Sequence, residues 1–118
     1  MRFGPELDPI NALEILCRAI TNSVQRETPD LAARQMAVLL NVYMTEAPHT
    51  VRGLAEELRI SKPAVTRALD RLGKLDFIRR KADEFDRRNV LIQRTVKGSI
   101  FLRNYGEIFA AAVAGRKV

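Results

Sequence analysis

The stretch from Thr50 to Arg94 limits the choice of fold most. It sets two short amphipathic helices, a three-residue turn and two β-type runs in one unbroken order. Thr50 is a favoured N-cap for a helix over residues 51–58, whose inward positions are Leu54, Ala55 and Leu58. Arg59-Ile60-Ser61 has room only for a tight turn, and Ser61 caps a second helix that runs to about Leu75. Pro63 falls in the first turn of that helix, where backbone N–H groups lack intrahelical partners, so it does not interrupt it. Val65, Ala68, Leu69, Leu72 and Leu75 recur at helical spacing as a buried stripe. The face left outside carries Lys62, Pro63, Ala64, Thr66, Arg67, Asp70, Arg71 and Lys74. Residues 77–81 and 89–94 follow as short strands, with Ile78, Val90 and Ile92 turned inward. The polar loop 82–88 joins them into a hairpin.

Helices flank this segment. Asp8-Pro9 is an N-cap followed by a proline suited to the first helical position, and Leu13, Leu16, Cys17, Ile20 and Val24 then form one apolar stripe. Thr28-Pro29 repeats the start signal for a helix over residues 31–46, with Met36, Leu39, Leu40 and Tyr43 inside, and Ala47-Pro48 stops it. His49 then falls in a loop. Thr95 caps a last helix whose apolar side is Ile100, Phe101, Tyr105, Ile108 and Phe109, and residues 115–118 read as a frayed end. The expected fold is mainly α with a small β-hairpin wing: a winged helix-turn-helix with flanking N- and C-terminal helices for dimerisation. It forms one domain, with residues 8–27 and 98–115 around a core of 31–97.

Charge separates that core from the rest. The net charge is +6, and thirteen of the 20 Lys/Arg lie in residues 49–98 against seven of the 14 Asp/Glu. A surplus concentrated beside an exposed helix face is the footprint of a polyanion-binding surface. No apolar run approaches the ~20 residues of a membrane span, so no membrane partner is expected. The first six residues lack the apolar stretch of a secretory signal. The lone Cys17 cannot form an internal disulfide, which fits a reducing cytoplasm. No cofactor or metal site is expected, since one His and one Cys make a poor ligand set, and no glycine-rich phosphate loop or nucleophile with a partner histidine points to an enzyme.

The steric logic of two crossing helices supports a DNA reading. Ala55 is small enough for the second helix to cross closely, Ile60 fills the turn, and Val65 and Leu69 anchor the second helix from beneath. Its outer face is then free to enter a major groove about 12 Å wide, which admits one helix.

The run 54–72, LAEELRISKPAVTRALDRL, resembles the DNA-binding helices of the MarR family of bacterial transcriptional regulators. Ile78-Arg79-Arg80, Asp86-Arg87-Arg88 and Thr95-Val96-Lys97-Gly98 are similar to that family's strand, wing and final-helix signals, so the resemblance covers about residues 31–103. It implies a cytoplasmic homodimeric regulator on a roughly palindromic site in double-stranded DNA, nucleoid-associated when bound. Ser61, Lys62, Pro63, Ala64, Thr66 and Arg67, with Arg71, would face the major groove, and Arg87 and Arg88 the minor groove, with Asp86 bracing a wing arginine. Thr50, Lys74 and Arg80 are candidate phosphate contacts. Two departures stand out. Arg94 occupies a position that is usually apolar, and the 20 residues after Gly98 leave room for one helix where the family has two. Dimerisation is then expected to rest on Leu13, Leu16 and Ile20 of the first helix and Phe101, Tyr105 and Ile108 of the last, and the place of any small-molecule effector is open.

Several residues carry two readings. Cys17 is either a redox thiol or a small buried hydrophobe, and the absence of a cation in its stripe favours the second. Asp70 either pairs with Arg67 or Lys74 one turn away or with the wing, or reads a base directly. The last is disfavoured because a carboxylate near phosphates needs a cytosine amine to accept from. The alternative function is a winged-helix module that docks on another regulator or on polymerase. The basic face of residues 62–74 argues against it, because protein interface cores are poor in charge.

Overall fold

A computed structural model describes residues 7–115. The readings placed on residues 1–6 and on the chain end at 116–118 lie outside them. The chain divides into two compact units, one formed by its first 30 residues and the segment from Arg103 onward, the other by Leu31–Leu102. Helix α5 (Val96–Val113) contributes its first turns to the second unit and the remainder to the first.

In the unit of residues 31–102, α2 (Ala33–Met44), α3 (Val51–Leu58) and α4 (Lys62–Lys74) pack with a small sheet. The helix borders follow capping chemistry. Thr50 Oγ1 accepts from the Gly53 N–H at 3.0 Å to open α3, and Ser61 Oγ accepts from the Ala64 N–H at 3.2 Å to open α4. Arg59 closes α3 in the left-handed region (φ 54°), which lets the Ile60 N–H return to the Ala55 carbonyl at 3.1 Å. The start of α2 lies five residues beyond the Thr28-Pro29 signal. The Thr28 hydroxyl instead donates to the Ser23 carbonyl at 3.2 Å, closing the preceding helix, while Gln35 Oε1 accepts from the Ala32 N–H at 2.9 Å.

The sheet has three strands rather than two. β2 (Ile78–Ala82) and β3 (Val90–Arg94) form the expected hairpin, and β1 (His49–Thr50) pairs antiparallel with β3 on its other side, giving the order β1-β3-β2. His49 is therefore a strand residue opposite Ile92, not a loop residue. Two residues are too few to show an alternating pattern, so the strand left no signal in the sequence.

Val38, Leu39, Val42, Leu54, Val65, Leu69, Leu72, Phe77, Ile78 and Ile92 fill the core of this unit. Leu40 and Val90, both expected inside, are exposed. The inner side of α2 is rotated toward Val38 and Val42, and Val90 lies at the far end of the hairpin, away from the helices. Tyr43 ties the unit together: its hydroxyl lies 2.7 Å from the Phe77 carbonyl and 3.1 Å from that of Thr95, and accepts from the Thr95 N–H at 2.9 Å. Gly98 is the position that permits this, since a Cβ there would overlap the Tyr43 hydroxyl and the Phe77 carbonyl. The unusual Arg94 has a local role. Its Nε donates to the Val42 carbonyl at 2.8 Å and its Nη2 to that of Thr45 at 2.9 Å, satisfying carbonyls at the end of α2 that have no intrahelical donor.

The other unit holds α1 (Pro9–Gln25), opened by Asp8 Oδ1, which accepts from the Ile10 and Asn11 N–H groups at 2.8 and 3.2 Å. Here Ala19, with the half-buried Ile15, packs with Ile108, Phe109 and Ala112 of α5, and Ser23 is also buried. The stripe of Leu13, Leu16, Ile20 and Val24 lies on the opposite side and is exposed, and so is Cys17. The reading of Cys17 as a buried hydrophobe is therefore corrected. The small Ala19 side chain lets the two helices approach, and its side of α1 is the buried one.

Candidate nucleic-acid interface

α4 is amphipathic to the point of division. Ala64, Val65, Ala68, Leu69 and Leu72 are buried, while Ser61, Lys62, Pro63, Thr66, Arg67, Asp70, Arg71 and Lys74 are exposed. The exposed positions fall in pairs three and four residues apart, so they share one face of the helix. Ala64 is the exception among the expected groove residues. Only 6 % of it is exposed, because its Cβ points with Val65 and Ala68 into the core, and it is removed from the candidate surface.

Electrostatics divides the cations into two groups. Four ion pairs form among the described residues, and none uses Lys62, Arg67, Arg71, Lys74 or Arg87. Arg80 is engaged: its Nη2 lies 2.7 Å from Asp70 Oδ1 and 3.4 Å from the Thr66 carbonyl, so strand β2 is bridged to α4. Of the partners open to Asp70, the structure uses the hairpin strand, and Arg80 is not a free phosphate contact. Arg79 is more loosely held, 3.8 Å from Asp76.

The wing is ordered by its own side chains. Asp86 Oδ1 accepts from the Arg88 N–H at 3.1 Å and from its Nε at 3.0 Å, while Oδ2 accepts from Nη2 at 3.1 Å. The Arg88 guanidinium and then the Arg88 N–H hold the Asp86 carboxyl below the usual carboxylate range, and the charge of Arg52 adds to this. Arg88 is in turn pushed above its ordinary value by Asp86. Arg87, next to this pair, is exposed and free.

Arg52 was not legible as part of the surface. It stands two residues beyond Thr50, and Thr50 pairs with Leu91 of β3, so the short strand β1 brings the start of α3 toward the hairpin. Nothing in a lone cation after Thr50 signals this. Thr50 itself is occupied as the α3 cap.

The α5 residues expected at a dimer contact are engaged within their own chain. Phe101 stacks on Phe77 with ring centroids 4.4 Å apart, Ile108 is 3 % exposed against Ala19, and Tyr105 lies 5.4 Å from Phe109. Ile108 is a core residue, and Phe101 and Tyr105 are half-buried. Ile108 is therefore corrected to a core position, while Leu13, Leu16 and Ile20 of α1 are exposed. Among the described residues no helix is long and apolar enough to cross a membrane, and no three His, Cys, Asp or Glu side chains cluster as metal ligands would.

Two helices joined by a tight turn, with the second presenting a cationic face beside a braced hairpin, define a winged helix-turn-helix protein. The MarR family model matches residues 31–90, and the chain belongs to the MarR family of transcription regulators. Solved structures share the fold. A MepR–DNA complex from S. aureus is 24 % identical, with a TM-score of 0.71 over 86 % of this chain and 80 % of that one. YusO from Bacillus subtilis is 23 % identical with a TM-score of 0.73, covering 89 % and 73 %. The regulator Tm0710 from Thermotoga maritima is 20 % identical with a TM-score of 0.71, covering 88 % and 70 %. No curated protein matches the chain.

Proposed function

We propose that the chain is a sequence-specific regulator of transcription that binds double-stranded DNA as a homodimer, with the exposed face of α4 in the major groove. The observation that carries this reading is a row of cations on α4, Lys62, Arg67 and Arg71, that pair with no carboxylate among the described residues although the helix beneath them is fixed in a core. Ser61, Pro63 and Thr66 are short beside them and allow close approach to base edges. Lys62 and Arg67 reach bases, while Arg71 and Lys74, further along the helix, meet phosphates at the groove edge. Arg87 and Arg88 serve the adjacent minor groove, where arginine suits a narrow, electronegative cleft, and Asp86 sets the direction of Arg88. The solved MepR–DNA complex, which shares the fold, supports DNA as the partner.

The homodimer rests on the open stripe of α1. Leu13, Leu16 and Ile20 are each more than two-fifths exposed, and with Ile10 and Val24 they continue along the same side. A run of large apolar side chains on one helix is a surface to be covered, and a second copy offers the same stripe in a two-fold arrangement. Reading two half-sites one turn of duplex apart requires the two α4 helices of the dimer to lie about 34 Å apart.

Selection of binding sites from random duplex DNA with the purified protein tests binding and symmetry together. An inverted repeat with half-sites one helical turn apart is expected. Failure to enrich any sequence, with the protein folded, would remove the DNA reading and favour the docking of a protein partner.

A further inference from the structure

The wing has one feature that cations and braces leave without a purpose. Phe85 is 99 % exposed, the most exposed of the large apolar side chains among the described residues. It does not sit in a loose loop. The Phe85 N–H donates to Asp83 Oδ1 at 2.9 Å on one side. On the other, the Asn89 N–H donates to the Asp86 carbonyl at 3.0 Å, and the Asp83 N–H to the Asn89 carbonyl at 3.3 Å. The tip is pinned on both sides of Phe85, and the ring is held out in water. An aromatic ring left in water forfeits the burial that normally keeps phenylalanine inside.

We infer that Phe85 is an apolar wedge that enters the minor groove beside the α4 site and lodges at a partly opened base step. This deepens the proposed DNA reading and rests on it. Three observations favour DNA over a protein surface. The ring is flanked in sequence by charge, with Asp83 and Glu84 before it and Asp86, Arg87 and Arg88 after it, whereas protein interface cores are poor in charge. Arg87 and Arg88, two and three residues on, supply the charge that draws the tip to phosphates. The nearby carboxylates are occupied, Asp83 by the Phe85 N–H and Asp86 by Arg88, leaving Glu84 as the one acidic group at the tip without such a bond. Phenylalanine is among the side chains that minor-groove proteins insert between base steps. Pyrimidine–purine steps unstack most readily, so the wedge confers a preference for TA or CA at a position α4 does not reach.

The test uses the full chain and a duplex selected by the wild-type protein, with affinity measured across a salt series and across TA, CA, AA and GC at the wing step. Phe85→Ala is expected to weaken binding about tenfold, as loss of one aromatic–base contact does, to erase the step preference, and to leave the salt slope unchanged. Phe85→Leu keeps an apolar wedge and retains most of both. The residue is exposed, so equal thermal unfolding of all three proteins is expected and verifies folding. A Phe85→Ala variant with wild-type affinity and step preference overturns the wedge but leaves DNA binding intact, and assigns the ring to a protein contact. A loss of affinity equal for all steps, with about one unit less salt slope, also overturns it, because the ring would then act only by placing an arginine. A wild-type protein that binds no duplex removes both readings.

Discussion

Helix α4 and the β2–β3 wing both carry arginines into solvent, and they hold them by opposite means. α4 is anchored by five buried side chains, and its cations have no carboxylate partner. The wing has exposed side chains at Glu84, Phe85, Arg87 and Arg88 and gains order from the half-buried Asp86 and Asp83, each bonded to a nearby backbone N–H. Side chains on a core-anchored helix keep one geometry, which base reading requires. Side chains on a charge-braced hairpin suit contacts with backbone phosphates, where position matters less than sign. Arg80 joins the two regions through Asp70, so the wing strand is bound to the helix it flanks.

That contrast can be broken from the helix side first. Leu69 is fully buried beneath α4, and Leu69→Ala should destabilise the fold by about 2–5 kcal/mol, read by denaturant unfolding. A loss below 1 kcal/mol would mean the helix is not anchored as described. On the wing, Arg87→Ala and Arg88→Ala should each weaken binding to every duplex alike and reduce the slope of log affinity against log salt by about one unit. Unequal losses between sequences would give these two arginines a share in base reading. The bridge between the regions is partly exposed and should matter least for stability: Arg80→Ala should cost no more than about 1 kcal/mol, and a double-mutant cycle with Asp70→Asn isolates the pair.

The smallest effect concerns pH. Asp86 is depressed in the folded chain, so the brace is fully present above the ordinary carboxylate pKa of about 3.9 and is lost only as pH falls through the lower folded value. The Arg88 amide signal in an NMR titration should therefore stay constant through the neutral range and move only in acid, with a midpoint below that of a free aspartate. A midpoint at or above the free value would show that the brace does not form.

Much of this fold was legible in the chain because its signals are local. Thr50, Ser61 and Thr95 are caps within three residues of the groups they bond, and the α3 and α4 borders follow from them. What was not legible depends on partners distant in sequence. The Thr28 hydroxyl looked free to start a helix, but Ser23 takes it. The stripe of α1 is real, yet whether it faces inward depends on α5, about ninety residues away, which packs on Ala19 instead. Ile108 was legible as apolar but not as already covered. In the site, Ala64 was misread because alanine fits both an exposed and a buried helix position, whereas Lys62 and Arg67 fit only one.

The most direct test is the affinity of the wild-type protein and of Arg67→Ala for a selected site and each of its single base-pair substitutions. If the open face of α4 reads bases, Arg67→Ala costs about 1–3 kcal/mol on the selected site and loses discrimination at one base pair per half-site, with the remaining positions unchanged. If the variant's substitution profile matched the wild type's at every position, the face built on Ser61 to Lys74 would not be the reading surface.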